Sequence, residues 1–240
     1  MKKFSYIILF ISISFGAIAT ESNAKTSVAI NKVESKPINV SNNASISNNN
    51  ITTTISCDPE TACAIVRDTT DSVLSALNSG ASQKKINNLV QNVITPKFDF
   101  QLMTKYALGN NWKLASSTQQ TELVNTFQEL LVITYSSALS KFKGAKITIT
   151  KETSSGKKAT VLSQVVMPNS PANSQPIQVE YDLAKVGNSS QWRAYDIKIE
   201  NVSLVTTYRN QFNEIVQSSN INGLILQLKT KVVNLQKHKA

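Results

Sequence analysis

The chain has 240 residues, 25 of them basic and 15 acidic, for a formal charge of +10 at pH 7. A balance of this size favours anionic partners, nucleic acid or the head groups of acidic lipids, although no run of five or more basic residues occurs and scattered lysines also serve solubility. The single histidine, His238, stands beside the C-terminus, where a fraying chain does not hold a general base in place, which argues against Ser-His-Asp and Cys-His mechanisms.

The chain opens MKKFSYIILFISISFGAIATESNAK, with Lys2 and Lys3 ahead of an apolar run and small residues after it. This pattern predicts a secretory signal peptide over 1–24. The run is shorter than the ~20 residues that a spanning helix needs, so a freely diffusing exported protein is expected, and export makes nucleic acid the weaker partner. Without these residues the formal charge is +9. Residues 25–56 are dense in Asn, Ser and Thr with no sustained period and read as a disordered leader. Residues 57–240 are then long enough for one domain with a sizeable core.

Cys57 and Cys63, in CDPETAC, are the only cysteines. In an oxidising compartment such a pair forms a disulfide, with a redox or metal role as the sharper alternative. Asp58 and Pro59 read as N-cap and first residue of a helix over 58–79, which puts Cys63 in its second turn and Gly80 at its end. A second helix is expected over 82–94, stopped by Thr95-Pro96. Asp99 caps a third, with Phe98 and Met103 as its hydrophobic staple. A long helix runs from Ser116, with Gln119 completing a capping box, to Gly144. Within it LLVITY (130–135) is apolar nearly all round, so contact on more than one side is predicted.

The period then changes. Segments 146–150, 159–167, 177–185 and 191–200 alternate as strands, the third with Ile177, Val179, Tyr181 and Leu183 on one face. Asp182, Asp196 and Glu200 fall on the other, which reads as a solvated face. Two helices, about 203–218 and 223–236, close the chain, with Lys229, Lys231, Lys237 and Lys239 near its end. The expected fold class is α+β, an antiparallel sheet of about four strands with helices packed on one face. No hydrolase elbow, P-loop, dinucleotide fingerprint or zincin motif occurs. Asp99 needs no role beyond capping. An apolar container fits this pattern better than a catalyst; a filled core fits it too.

YDIKIENVSLVTTYRNQFNEIV (195–216) closely resembles the signature of the MlaC, or toluene-tolerance, family of periplasmic phospholipid carriers. FDFQLMTKYALGNNW (98–112), STQQTELVNTFQELLVITYSSAL (117–139), VEYDLAKVGNSSQWRAYDI (179–197) and NGLILQLKTK (222–231) resemble the same family in the same order, over about residues 58–235. Asn201 stands where the family's turn has a glycine, and neither the leader nor the cysteine pair belongs to the signature. The resemblance implies a nuclear-transport-factor-like fold. It also implies a soluble periplasmic shuttle, without cofactor or reaction, that moves phospholipid between an outer-membrane lipoprotein complex and an inner-membrane ABC-type transport complex. The domain is read as a monomer with no nucleic-acid partner.

On that reading the corner at 195–216 turns Tyr195, Ile197, Val202, Leu204, Tyr208 and Phe212 toward an acyl-chain cavity. Phe98, Met103, Trp112, Phe127, Leu131, Tyr135, Ile147, Ile149, Val161, Val179 and Tyr181 join them as lipid-contact candidates. Ordinary core packing is the competing explanation for each. Two other classes stay open: a lipid-modifying enzyme using Asp99 or an exposed serine, and an adaptor with a filled core.

Overall fold

A computed structural model describes residues 55–171, 173–187 and 189–237. The expected signal peptide, all of the leader up to residue 54, and His238 lie outside the described residues.

The first helix, α1, is Ala62–Asn78, and its N-cap is Thr61, whose hydroxyl accepts from the Ala64 N–H. Asp58 is not the cap, as the sequence suggested. Its carbonyl instead accepts from both the N–H and the hydroxyl of Thr61, and Glu60 takes a left-handed φ of 66°, so a tight turn delays the helix. A disulfide joins Cys57 to Cys63 across this turn, with Cα atoms 5.4 Å apart. Cys63 therefore sits in the first turn, one turn earlier than expected. Gly80, at φ 73°, follows the C-cap as the sequence indicated.

Helix α2, Gln83–Leu89, is capped by Ser82. It does not run regularly to residue 94. Val90–Ile94 form a π turn and Thr95–Lys97 a 3-10 turn. Pro96 supplies the cause: in a continuous α-helix its ring would meet the carbonyl four residues back. The widened turn lets both the N–H and the hydroxyl of Thr95 reach the Val90 carbonyl. Asp99 then caps α3, Phe100–Leu108, by accepting from Leu102 N–H at 2.9 Å, and Gly109 ends it at φ 56°.

Helix α4, Ser117–Ser136, starts with the expected capping box of Ser116 and Gln119. It stops eight residues before Gly144. The hydroxyls of Ser136 and Ser137 turn back onto the Ile133 and Thr134 carbonyls, a local alternative to helix continuation. A 3-10 turn, Leu139–Phe142, leads into the sheet.

The sheet is an antiparallel meander, β1 (Lys146–Ser155), β2 (Lys158–Val166), β3 (Ile177–Lys185), β4 (Trp192–Ile199) and β5 (Val202–Ser203). It has five strands where about four were expected, because two residues after the β4 turn pair back onto it. That turn is Glu200-Asn201, with φ of 49° and 65°. Two left-handed residues are what a tight two-residue hairpin loop demands, so Asn201 does take the backbone of the expected glycine. Glu200 is held there by Gln178, whose N–H reaches its carboxylate at 2.6 Å and whose carbonyl accepts its N–H.

One sheet face carries Ala159, Val161 and Leu183 under α1, which presses Ala62, Cys63 and Val66 onto them. On the other face Lys198 pairs with Glu180 and, at 2.9 Å, with Asp182, which also accepts from Thr160 at 2.8 Å. Asp196 departs from the solvated role expected of it. Only 6 % exposed, it accepts from Ser203 Oγ at 2.5 Å, Val205 N–H at 3.0 Å and its neighbour Ile197 N–H at 2.9 Å. It thereby ties the end of the sheet to the start of the last helix.

That helix, α5, is Leu204–Lys237, broken at Asn220 (φ 57°, ψ −173°). The two closing helices of the sequence reading are thus joined at one residue. Asn220 Oδ1 accepts from the N–H groups of Asn222 and Gly223 and caps the second half. A Cβ on Gly223 would lie 2.4 Å from that of Ser219, so the break needs glycine there. Helices α3, α4 and α5 share one large core, into which Leu123, Phe127, Leu130, Tyr208, Phe212 and Leu224 are fully buried.

Candidate functional site

Between the end of β4 and the helices lies an apolar hollow of about 210 Å³. Four pieces of chain build its wall. The widened segment before α3 supplies Val90, Ile94 and Thr95, with Phe98, Phe100 and Met103 following from the staple and α3. The last turns of α4 and the residues after it supply Leu131, Val132, Tyr135, Ser136 and Leu139. Strand β4 contributes Ile197 and Ile199, and the corner adds Val202 and Leu204.

Alternation explains the strand residues. Ile197 and Ile199 pair with Tyr181 and Val179, so they fall on the helix-covered face of the sheet. The staple explains Phe98 and Met103, since a residue before the cap and one a turn beyond it must share a side. Phe98 also bridges to Ala194, and Asp99 N–H donates to the Ala194 carbonyl at 2.9 Å, which pins α3 to β4. Among the described residues no charged side chain lines the hollow. Of its hydroxyls, Thr95 is committed to Val90 and Ser136 to Ile133. Val202, 43 % exposed, marks where the hollow meets solvent.

Seven residues singled out from sequence line this space: Phe98, Met103, Leu131, Tyr135, Ile197, Val202 and Leu204. Phe127, Tyr208 and Phe212 lie elsewhere, in a cluster of rings with centroids 4.7 to 5.6 Å apart. Trp112 packs against the same helical core, and Tyr195 meets Tyr106 edge-on at 5.4 Å. Ile149 and Val161 belong to the core beneath α1, and Ile147 and Val179 to a smaller cluster around Val165. Tyr181 touches both. Burial pushes its phenol pKa up, against a smaller opposing effect of the Ser163 hydrogen bond. Tyr195 is raised by burial and then by Asp182.

Sequence reasoning missed Val90, Ile94, Thr95, Phe100, Val132, Ser136, Leu139 and Ile199. In the segment 90–97, Val90, Val93 and Ile94 keep ordinary helical spacing, which gives no sign of the widened turn. For Val132 a signal existed, since LLVITY is apolar on too many sides for a helix with one partner.

Asp99 is occupied as a cap. Among the described residues no group of three or more His, Cys, Asp or Glu side chains is placed to hold a metal ion. No helix among them is long and apolar enough to cross a membrane.

A phospholipid-binding protein of Ralstonia solanacearum, solved in complex with a phospholipid, is similar to this fold with a TM-score of 0.63. The two are 28 % identical, over 73 % of this chain and 98 % of that one. The intermembrane phospholipid transport system binding protein MlaC of Haemophilus influenzae is 23 % identical over 171 residues, 68 % of this chain and 78 % of its own length. The MlaC protein family model matches residues 67–230, and the chain belongs to the MlaC family.

Proposed function

We propose that this protein is a soluble periplasmic phospholipid carrier that holds acyl chains in the hollow beside β4. It exchanges its cargo with an outer-membrane lipoprotein complex and an inner-membrane ABC-type transport complex. The observation that carries the reading is the hollow itself, an uncharged space walled by aliphatic and aromatic side chains. The family membership and the phospholipid bound in the Ralstonia solanacearum protein support it.

The physical need is easily sized. Two acyl chains hold roughly 28 methylenes, and at ~0.8 kcal/mol each a lipid bare in water is unfavourable by about 20 kcal/mol. A carrier must cover most of that hydrocarbon and yet release it, which favours a wall without fixed polar contacts. An apolar cavity of roughly 150 Å³ takes up a benzene-sized guest. At about 210 Å³ the hollow accepts part of one chain, so full loading widens it. The segment 90–97 is suited to yield, since π and 3-10 turns replace the regular α-helical ladder there.

The purified protein, extracted and analysed by mass spectrometry, should release two-chain phospholipid. A protein that is empty as isolated and takes up no lipid from vesicles would overturn the reading.

A further inference from the structure

The two halves of α5 run in opposite directions along α4. Leu204 shares the hollow with Leu131 and Tyr135, and Tyr208 and Phe212 meet Phe127, so the first half descends α4 from its C-terminal end. The second half returns up it. Gln119 donates to Asn222 at 2.7 Å, Glu122 pairs with Lys229, and Glu129 accepts from Gln236 at 2.8 Å. On this return Ile221, Leu224, Ile225, Leu228 and Val232 are buried in the helical core. One residue makes the reversal. Asn220, at φ 57° and ψ −173°, holds a backbone that only glycine adopts readily, and beside it a Cβ on Gly223 would meet that of Ser219 at 2.4 Å.

Strain of this kind persists only where the surrounding contacts enforce it, and here those contacts are the seat of the second half on α4. A continuous helix removes both conflicts: its backbone is relaxed at residue 220, and Cβ atoms four residues apart stand about 5–6 Å from each other. No proline lies between Gln217 and Gly223 to forbid continuity. A straight α5 of 34 residues would be about 50 Å long and would carry residues 221–237 away from their own α4. Their aliphatic face then needs another α4, and a second copy of this chain offers one with every apolar and polar partner in place. Short hinges under strain favour such an exchange.

We propose that Asn220 is the hinge of a domain swap, in which α5 straightens and residues 221–237 of each chain seat on α4 of a second copy, closing a two-fold dimer. Among the described residues α5 lends the hollow Leu204 alone, ahead of the hinge, so each copy keeps its own hollow.

Refolding from urea at high and low chain concentration tests this, without reductant so that the Cys57–Cys63 bond stays closed, and with mass read by light scattering on a sizing column. Concentrated refolding should yield a dimer that dilute refolding does not. Asn220→Ala removes the cap and favours a continuous helix, and should raise the dimerisation constant about tenfold per chain. Asn220→Gly relaxes the break and weakens a straight helix, and should lower it by a similar factor. A carbodiimide joins the Lys229 ammonium to the Glu122 carboxylate as an amide where the two meet. In dimer refolded from equal amounts of unlabelled and heavy-nitrogen chains, half of these linked peptides should carry both labels. An unaltered chain that refolds only to monomer, a dimer whose linked peptides carry one label each, or equal dimerisation of the Ala and Gly variants would overturn the proposal.

Discussion

Phe127, Tyr208 and Phe212 close the space between α4 and α5 with three rings in mutual contact, whereas one turn further along α4 Leu131 and Val132 face a hollow. The same helix wall is involved; what changes is the surface opposite. At the filled end α5 presents aromatic side chains from a regular helix. At the hollow end the facing surfaces are the irregular 90–97 segment and the tip of β4, which present Val and Ile from backbones that do not run alongside α4. Dense packing follows where two regular elements meet along their length. The space stays open where elements of different period converge.

The sharpest way to break this contrast is to empty the filled end. Phe212→Ala should cost about 3–5 kcal/mol, read from urea denaturation, while lipid per folded molecule stays unchanged. Lost lipid with unaltered stability would place the ring cluster in the cargo site. Asp196→Asn comes next, at about 2 kcal/mol, because a buried carboxylate with several donors is replaced by a group with one acceptor oxygen. Since Asp196 anchors the corner bearing Val202 and Leu204, lipid retention should fall as well, unlike the Phe212 case.

Much of this architecture was legible in the sequence, and the parts that were not share a cause. Caps at Asp99 and Ser116, the alternation in β3 and the left-handed Asn201 are short-range features, each set by one or two side chains acting on nearby backbone. Thr61 displaced Asp58 because a turn closed by two hydrogen bonds to the Asp58 carbonyl competes with the helix start. The burial of Asp196 depended on Ser203 and Val205 folding back over it, which alternation within one strand does not reveal. The candidate site divided in the same way. Residues near the Phe98–Met103 staple and the β4 corner reached the hollow, while Tyr208 and Phe212, further along α5, were carried by helix phase into the neighbouring core.

A subtler test fills the hollow. Leu139→Trp should change stability by less than about 1.5 kcal/mol, because space exists for the larger ring, and should sharply reduce extracted phospholipid. Leu130→Trp, on the fully packed side of α4, should cost about 1–3 kcal/mol or more through overpacking. Equal penalties at the two positions would mean that the hollow is not usable space.

The smallest effect concerns charge within the packed region. Lys198, on the wet sheet face, has its pKa pushed up by its hydrogen bond to Glu180 and by Asp182. Lys231, half-buried along α5, has its pKa pushed down by burial to about 8. Below pH 8 the Lys231 ammonium is charged in both folded and unfolded chains, and its desolvation opposes folding. Between pH 8 and its ordinary value near 10.4 the folded protein sheds the proton first, so the penalty fades as pH rises. Lys231→Met should therefore raise stability at pH 7 by about 1 kcal/mol, a value discounted for partial exposure to solvent. Thermal melts should show this gain shrinking toward zero by about pH 10.5. A loss of stability at pH 7 would instead mean that the ammonium makes net favourable contacts where it lies, and that the filled region accommodates charge as well as hydrocarbon.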